Sequence, residues 1–230
     1  GRSYAGTTED GGVSLQIDYD FGGAKLTSIT AYRDYTSSQA SDTDYSAVDI
    51  LYRAPNGDAS RQFKTFTQEL RLQGEAFSGH LDWLIGGYFA NEDLQVQDNL
   101  RFGSQYGRFA TCRIISGGGL AGLYSPTNPS CVIPGVGQAT ISGASGASGP
   151  DIVAAFGLLD SLNDRGSTRD VYNQNSRNWA LFTHDIIHLT STFDLTLGLR
   201  YTNERKRFDA TFGNDNTICT QIQGLVLDDL

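Results

Sequence analysis

The sequence lacks a long hydrophobic run, which argues against a membrane-spanning helix. Such a helix needs roughly 20 consecutive apolar residues. The best candidate, Ile152 to Leu162, is too short and contains Gly157 and Asp160. The 230 residues also contain no methionine, and we expect both ends to be cuts within a longer protein. Any membrane role must therefore come from strands, whose signal per segment is weaker.

Positive charge and cysteine are also scarce. The 17 Lys and Arg against 26 Asp and Glu give a formal net charge of −9, and the basic residues cluster at Arg205-Lys206-Arg207 alone. A nucleic-acid binder would carry a larger basic face, so that class is excluded. Three cysteines are too few for a disulfide-dense scaffold. Abundant glycine and aromatic residues with only five prolines favour long strands joined by large loops.

The most regular segment runs from Phe193 to Glu204 and alternates apolar with polar residues. A period of two predicts a strand with one apolar and one polar face. The apolar face carries Phe193 and Tyr201 at its ends and leucines between them. These nine residues at about 3.3 Å each, tilted by about 45°, rise roughly 21 Å, close to the ~25 Å apolar band of an outer-membrane barrel.

The same alternation predicts strands at Val13–Asp20, Phe66–Gln73 and Leu81–Phe89. Two further segments, Ala24–Tyr35 and Asn178–Leu189, are rich in strand-forming residues, but the sequence does not decide which face of each is apolar. In Asn178–Leu189 either of two alternating sets could form the apolar face. One set is Trp179, Leu181 and Ile187, and the other is Ala180, Phe182 and Ile186. We expect one set of residues to face lipid: Leu70, Leu72, Trp83, Ile85, Leu195, Leu197 and Leu199. We expect a second set to face an aqueous lumen: Glu69, Arg71, Arg200 and Glu204.

The connections alternate between short and long. The predicted short turns are Phe21–Gly23, Gly74–Gly79 and Thr190–Thr192, and the long insertions are Thr36–Arg61 and Glu92–Arg177. In an antiparallel meander all the short links fall on one rim, as in outer-membrane barrels. The predicted fold is therefore all-β, an antiparallel meander of about six long strands forming part of a transmembrane β-barrel. A soluble β-sandwich, which also alternates, is the alternative.

The longer insertion contains a predicted short helix and two cysteines. Pro150 suits the first turn, Gly166 suits a stop, and one face carries Ile152, Phe156, Leu159 and Leu162. We expect this helix to pack on the loop or the barrel rim. In an oxidising compartment Cys112 and Cys131 would form a disulfide worth roughly 3 kcal/mol. Cys219 is left over, with any partner expected beyond Leu230.

Candidate ligand contacts lie in the two long loops, because binding residues tend to be carried on loops held by a rigid scaffold. Aromatic and Arg side chains are the usual anchors, and Arg suits anionic ligands. The candidates are Tyr45, Tyr52, Arg53, Tyr106, Arg108 and Arg113. The alternative is that these side chains only pack the loops together.

The sequence contains no recognisable catalytic or metal-binding motif. The acidic residues of the first loop lack the Gly and distal Glu of an EF-hand, and indicate a solvated loop instead: Asp42, Asp44, Asp49 and Asp58. The three histidines are scattered. We expect no catalytic site, no metal, no cofactor and no enzyme activity.

Several segments resemble the barrel of TonB-dependent receptors. Phe66-Thr67-Gln68-Glu69-Leu70-Arg71-Leu72 is similar to the family's SQELRL strand, and Trp83-Leu84-Ile85-Gly86-Gly87-Tyr88-Phe89 to its W-x-x-G-x-(Y/F) strand. Trp179-Ala180-Leu181-Phe182 with Leu197-Gly198-Leu199-Arg200-Tyr201-Thr202-Asn203-Glu204 resembles its ALFGQ … GLRYT-x-E hairpin. Leu26 to Arg33 is similar as well. Each motif is weakly specific, and their order and spacing carry the resemblance.

The resemblance implies that residues 1–230 are part of a barrel of roughly 22 strands that an N-terminal domain plugs. It implies a bacterial outer-membrane location and energy-dependent uptake of a scarce nutrient, such as an iron–siderophore complex. The expected partners are membrane lipid and lipopolysaccharide, a TonB-type periplasmic energiser that acts through the plug, and a small-molecule or oligosaccharide ligand. A passive porin or a non-transport barrel is the alternative.

Overall fold

The computed structural model describes residues 2–216 apart from 118, 119, 129, 130, 145, 147 and 148, together with 220, 221 and 224. Cys219 and the side chain of Ile152 lie outside the described residues, and so do the predictions of a partner for Cys219 and of Ile152 on the apolar face of a helix.

The described chain is built mainly from strands. In chain order they are β1 (Gly6–Asp20), β2 (Ala24–Gln39), β3 (Ser41–Asp42), β4 (Leu51–Arg53), β5 (Ala59–Ala76), β6 (Leu81–Asp98), β7 (Arg101–Phe102), β8 (Asp170–Thr190) and β9 (Phe193–Thr211). The six long strands form one antiparallel sheet in the order β1-β2-β5-β6-β8-β9, which is a meander. The short strands form a second sheet, β3-β4-β7. The predicted all-β meander of six strands is confirmed.

The long strands extend well past their predicted ends on the side of the long loops. The strand predicted at Phe66–Gln73 runs from Ala59 to Ala76, and 18 residues at about 3.3 Å each reach about 60 Å. In the added lengths polar side chains predominate on both faces, as in the Asn203–Thr211 part of β9, where the apolar exceptions are Phe208 and Ala210. Without an apolar period the sequence gives no strand signal there, and the strand continues because its neighbour pairs with it.

The turn Phe21–Gly23 falls where it was predicted, between β1 and β2. The turn between β8 and β9 is shorter by one residue than predicted, because Thr190 ends β8 and pairs with Phe193. The predicted turn Gly74–Gly79 is wrong in extent, because strand pairing continues through Ala76. The chain reverses at Phe77 and Ser78, which adopt positive φ angles of 53° and 59°. Gly74 is a strand residue whose missing side chain makes room, since a Cβ there would lie 3.0 Å from the Trp83 ring.

The longer loop folds into three helices around its own small core. They are α1 (Tyr106–Gly117), α2 (Val136–Ala144) and α3 (Gly149–Leu158), with single 3-10 turns at Ala121–Leu123 and Leu159–Leu162. Buried Ile115, Val132 and Ile141 form the core, with Phe156 packed against it. The helix predicted after Pro150 is present, but the predicted stop at Gly166 is wrong: α3 ends at Leu158 and a 3-10 turn follows to Leu162. The helices α1 and α2 were missed because Gly and Ser dilute their apolar period. None of the described helices has the length and apolarity needed to cross a membrane.

The position of the Phe182 side chain on the large sheet depends on a glycine in the neighbouring strand. Phe182 lies directly opposite Gly86, and its ring fills the space where a side chain of residue 86 would project. Arg200, opposite Phe182 on the other side, holds its guanidinium 5.5 Å from the same ring. Gly86, Phe182 and Arg200 therefore form one layer across three strands.

We expect Gly86→Ala to lower the free energy of unfolding by about 1–3 kcal/mol, the usual range for overpacking. The new Cβ would lie 2.2 Å from Phe182 Cζ, so the ring must leave its position over the sheet. Gly87→Ala is the matched control, because its Cβ meets only Leu181 Cδ2 at 3.7 Å, an ordinary contact. Denaturant unfolding of the purified protein measures both. Equal losses for the two variants would contradict this packing.

Candidate functional site

The register of the sheet separates two chemically different faces. Residues directly opposite each other share a face, and one such row is Leu26, Leu72, Ile85, Thr183 and Leu199. All seven residues expected to meet lipid fall on the face of this row, here called the apolar face. The four residues expected in the lumen fall on the opposite one, here called the polar face, where Arg71 and Arg200 share a row.

Exposed aromatic side chains mark both edges of the apolar face. On the side of the long loops they form an aromatic belt: Tyr32, Phe66, Phe89, Trp179 and Tyr201. Within it the rings of Phe66 and Phe89 are 6.4 Å apart, and those of Trp179 and Tyr201 are 5.5 Å apart. On the side of the short turns the exposed aromatics are Tyr19, Phe21, Phe77 and Phe193. Between the two edges lie exposed aliphatic side chains, with Leu199 75% exposed.

Polar side chains interrupt the apolar face at two places. In the first, Thr30 donates to the amide oxygen of Gln68 at 2.5 Å, and the Gln68 amide nitrogen donates to Ser28 Oγ at 3.1 Å. These groups satisfy one another, which limits their cost in an apolar environment. The second place is in β8, where Thr183 lies opposite Leu199 and Asp185 lies opposite Leu197.

Asp185 also explains why the faces of β8 could not be assigned from the sequence. Trp179, Leu181 and Ile187 lie on the apolar face together with this carboxylate. The competing apolar residues lie on the polar face: Ala180, Phe182 and Ile186.

The polar face carries charges of both signs. Arg33 Nε donates to Asp10 Oδ1 at 2.8 Å, and Arg71 pairs with Glu69. Near the short turns His188 lies between two carboxylates, 2.7 Å from Asp194 and 3.1 Å from Asp82. An open hollow of about 660 Å³ lies at the same end, lined by residues that include Asp20, Lys25, Glu75, Asp82 and His184. Such a face suits water and polar partners.

Ion pairs bind the long loops into one unit, here called the loop layer, which comprises the described residues of 40–58 and 99–169. Arg101 pairs with Asp58 at 2.5 Å, and the Asp58 side chain is 3% exposed. Arg53 pairs with Asp98 at 2.7 Å. Both contacts join the first long loop to the end of β6 or to the second long loop.

A third contact brings in the segment before β1. Arg2 Nε donates to Asp49 at 2.7 Å, and Arg2 also lies 3.0 Å from Asp164. The Arg2 guanidinium stacks over Tyr52 at 3.6 Å, and the Tyr52 hydroxyl donates to Asp164 at 2.5 Å. Burial, reinforced by the bond to Asp164, raises the pKa of Tyr52 to about 12. Hydrogen bonding to Arg2 holds the pKa of Asp49 well below its usual range.

The acidic residues of the first loop are not the solvated set that the sequence indicated. Asp44 accepts hydrogen bonds from the backbone N–H groups of Ile50 and Leu51. Asp58 accepts one from Ala54 N–H as well as the pair from Arg101. These carboxylates therefore organise the loop. No sequence pattern links Asp58 to an arginine 43 positions away, so this role was missed.

The candidate ligand residues divide between internal and exposed positions. Tyr52 and Arg53 make the internal contacts described above, and Tyr106 packs on Phe102 with ring centroids 4.2 Å apart. Tyr45, at 91% exposure, and the α1 residues Arg108 and Arg113 are open to solvent. Cys112 and Cys131 are joined by a disulfide with Cα atoms 5.0 Å apart, which fixes the helix bearing the two arginines. Across the described residues there is no group of three or more metal-binding side chains.

Comparison with known proteins supports the fold. No protein-family model matches the chain, and no curated protein matches it. Among solved structures, the ferric yersiniabactin uptake receptor FyuA from Yersinia pestis is similar, with a TM-score of 0.53 at 12% sequence identity. The likeness covers 92% of this chain but 24% of that one, so the chain spans about a quarter of the receptor's length. Identity this low shows the fold alone, a sheet like that of outer-membrane β-barrels.

We expect acid to loosen the loop layer before the large sheet. The pKa values of Asp49 and Asp58 are lowered in the folded chain, because Arg2 binds the first and because Arg101 and Ala54 N–H outweigh the burial of the second. A lowered folded pKa gives stability that is complete above the unfolded value, near 3.9, and is lost as the pH falls through the folded value. Hydrogen exchange at pH 6, 4 and 2.5, corrected for intrinsic rates, measures protection in residues 49–58 and in β9.

Asp58→Asn is the matched variant for this test. It removes one of these titrating groups, so the loop should be less protected at pH 6 and should change less on acidification. Simultaneous loss of protection in the loop and in β9 would contradict a separately stabilised loop layer.

Proposed function

We propose that this chain is a wall segment of an outer-membrane β-barrel receptor, with its apolar face toward lipid and its polar face toward an aqueous lumen. One observation carries the proposal: large exposed apolar side chains cover one face of the sheet between two aromatic edges. Aromatic girdles at both interfaces and an apolar band of about 25 Å are the signature of such barrels.

The soluble sandwich is the competing explanation of the same alternation. A sandwich would cover the apolar face with a second sheet. Within the described residues this face stays open, with Val13 at 69% and Leu199 at 75% exposure. The helices of the second loop pack instead on their own core around Ile115. Lipid is therefore the natural cover for the apolar face.

The edges of the sheet favour a larger assembly. β1 and β9 each have one neighbour among the described strands, so the other side of each lacks a ladder of hydrogen bonds. Unpaired backbone groups cost several kcal/mol each in hydrocarbon, and only closure removes them. We infer that further strands flank both edges, which agrees with the share of the Yersinia receptor that the chain covers.

Energy-dependent uptake is the transport mode we propose. It is supported by the TonB-dependent receptor motifs in β5, β6, β8 and β9, and by the similarity to a structure described as an uptake receptor. The proposal includes a plug domain, a TonB-type energiser acting on it, and a scarce nutrient such as an iron–siderophore complex. Ionic contacts that gather the loops over one rim suit a protein that captures ligand before passage.

The loop layer is the proposed capture surface. Arg108, Arg113 and Tyr45 are exposed and available to a ligand, and Tyr106 lies at the start of α1 beside the two arginines. Tyr52 and Arg53 contribute indirectly, because their contacts hold the loops together and so position the residues that would contact the ligand. The Cys112–Cys131 disulfide reduces the freedom that α1 would lose on binding.

We expect Leu197→Arg, made in an Asp185→Asn background because Asp185 lies directly opposite, to destabilise the assembled barrel by about 2–4 kcal/mol. The arginine would then replace a leucine near the bilayer midplane without a carboxylate to pair with. Thr196→Arg is the matched control on the adjacent, polar-face position of the same strand. Unfolding in lipid vesicles measures the difference. A loss for Thr196→Arg as large as that for Leu197→Arg would reverse the assignment of faces.

We expect deletion of Gly117–Gly149 to abolish most ligand binding on whole cells while the barrel still assembles. Because the deletion removes Cys131, it is combined with Cys112→Ser, and the double variant Cys112→Ser, Cys131→Ser with an intact loop is the control. Binding of ferric siderophores and of haem is measured with and without a protonophore. Uptake that continues without the proton gradient would indicate a passive porin, and unchanged binding after the deletion would show that the loop is only a cover.

A further inference from the structure

Three arginines form a patch on the apolar-face side of the sheet, beyond the aromatic belt. They are Arg177 of β8 and Arg205 and Arg207 of β9, here called the outer basic patch. Arg177 lies directly opposite Arg205, and Arg207 lies opposite Asn175. The register places all three on the same side of the sheet as Leu197, and all three are exposed.

The outer basic patch lies a few residues beyond the aromatic belt on β8 and β9. Arg177 is two residues beyond Trp179, and Arg205 is four residues beyond Tyr201. At about 3.3 Å per residue and a tilt of about 45°, Arg177 and Arg205 lie roughly 5 to 9 Å beyond the belt. Arg207, two residues further along β9, lies roughly 9 to 14 Å beyond it. Tyr and Trp residues sit at the level of lipid headgroups. The outer basic patch therefore lies in the headgroup layer if the apolar face is in the membrane.

The three guanidinium groups are not neutralised by the protein. Arg177 Nε donates to the neutral Asn91 at 2.9 Å, and none of the three forms an ion pair within the described chain. Asp93, on the same side, accepts hydrogen bonds from Asn91 and Asn175. Asp209 lies opposite Asn173, one pair further from the belt than Arg207.

This arrangement carries an energetic cost for the free protein. Like charges directly opposite each other on a sheet are destabilising, and Arg177 and Arg205 are such a pair. The chain has a net charge of −9, with 26 acidic residues against 17 basic ones, so acidic partners are available in the composition. An anion bound between the two strands would relieve the repulsion.

We propose that the outer basic patch binds a phosphate group of a phosphorylated glycolipid in the outer leaflet. A guanidinium group forms paired hydrogen bonds with phosphate oxygens, and two facing arginines offer two such forks. The acyl chains of the lipid would lie along the exposed leucines below the belt. This assignment rests on the membrane orientation proposed above and adds to it a specific lipid contact.

The test uses the full-length natural protein in detergent, with diphosphorylated lipid A as the probe and binding followed by native mass spectrometry. We expect Arg205→Gln with Arg207→Gln to weaken lipid A binding about tenfold or more, equivalent to about 1.4 kcal/mol. Lys206→Gln is the matched control, because Lys206 lies between the two arginines, faces the other way and pairs with Glu204. It should bind lipid A as the parent does.

Two further binding measurements identify the ligand. Dephosphorylated lipid A should bind as weakly to the parent as diphosphorylated lipid A does to the double variant, and inorganic phosphate should not compete at equal concentration. Equal binding by parent and double variant, or equal binding of the two lipids, would overturn the proposal. Full competition by inorganic phosphate would replace it with a small-anion site. Either result leaves the orientation of the sheet untouched, because Leu197→Arg and Thr196→Arg test that separately.

Discussion

Continuous pairing of six strands in a single register is the constraint on which the rest of the structure depends. Because directly opposed residues share a face, Leu26, Ile85 and Leu199 stay on one face only while each strand keeps its alignment. A slip of one residue in any strand would bring its charged residues to the apolar side. The two faces, the aromatic belt and the outer basic patch are all consequences of that register.

The loops solve a different physical problem. They cannot rely on a large apolar core, so buried carboxylates and arginines organise them, as at Asp58 and Arg101. A buried ion pair contributes little net stability, but removing one partner is costly, so such pairs fix a specific arrangement of the chain. The ionic contacts at Arg2, Arg53 and Arg101 reach different parts of the rim. The stability of the loop layer therefore falls in acid, as these carboxylates become protonated.

The sequence predicts those parts of the fold in which side-chain chemistry repeats with the backbone. β9 is readable from Phe193 to Tyr201 because its apolar residues alternate without error. β8 is not, because Asp185 lies among the apolar residues and Phe182 fills the space above Gly86 on the polar face. The far ends of the strands carry no period and were taken for loop. The loop contacts join residues that are far apart in the sequence, such as Tyr52 and Asp164, which are 112 positions apart. Local sequence patterns cannot predict such partners.

The most direct test of the account is a single-cysteine scan of β9 from Leu195 to Thr202, in the full-length protein within its membrane and with Cys219 replaced by serine. Each variant is treated with a lipid-soluble maleimide and separately with a membrane-impermeant one. We expect positions 195, 197, 199 and 201 to react with the lipid-soluble reagent and positions 196, 198, 200 and 202 with the aqueous one. Labelling without this alternation would contradict a lipid face and a lumen face on one sheet.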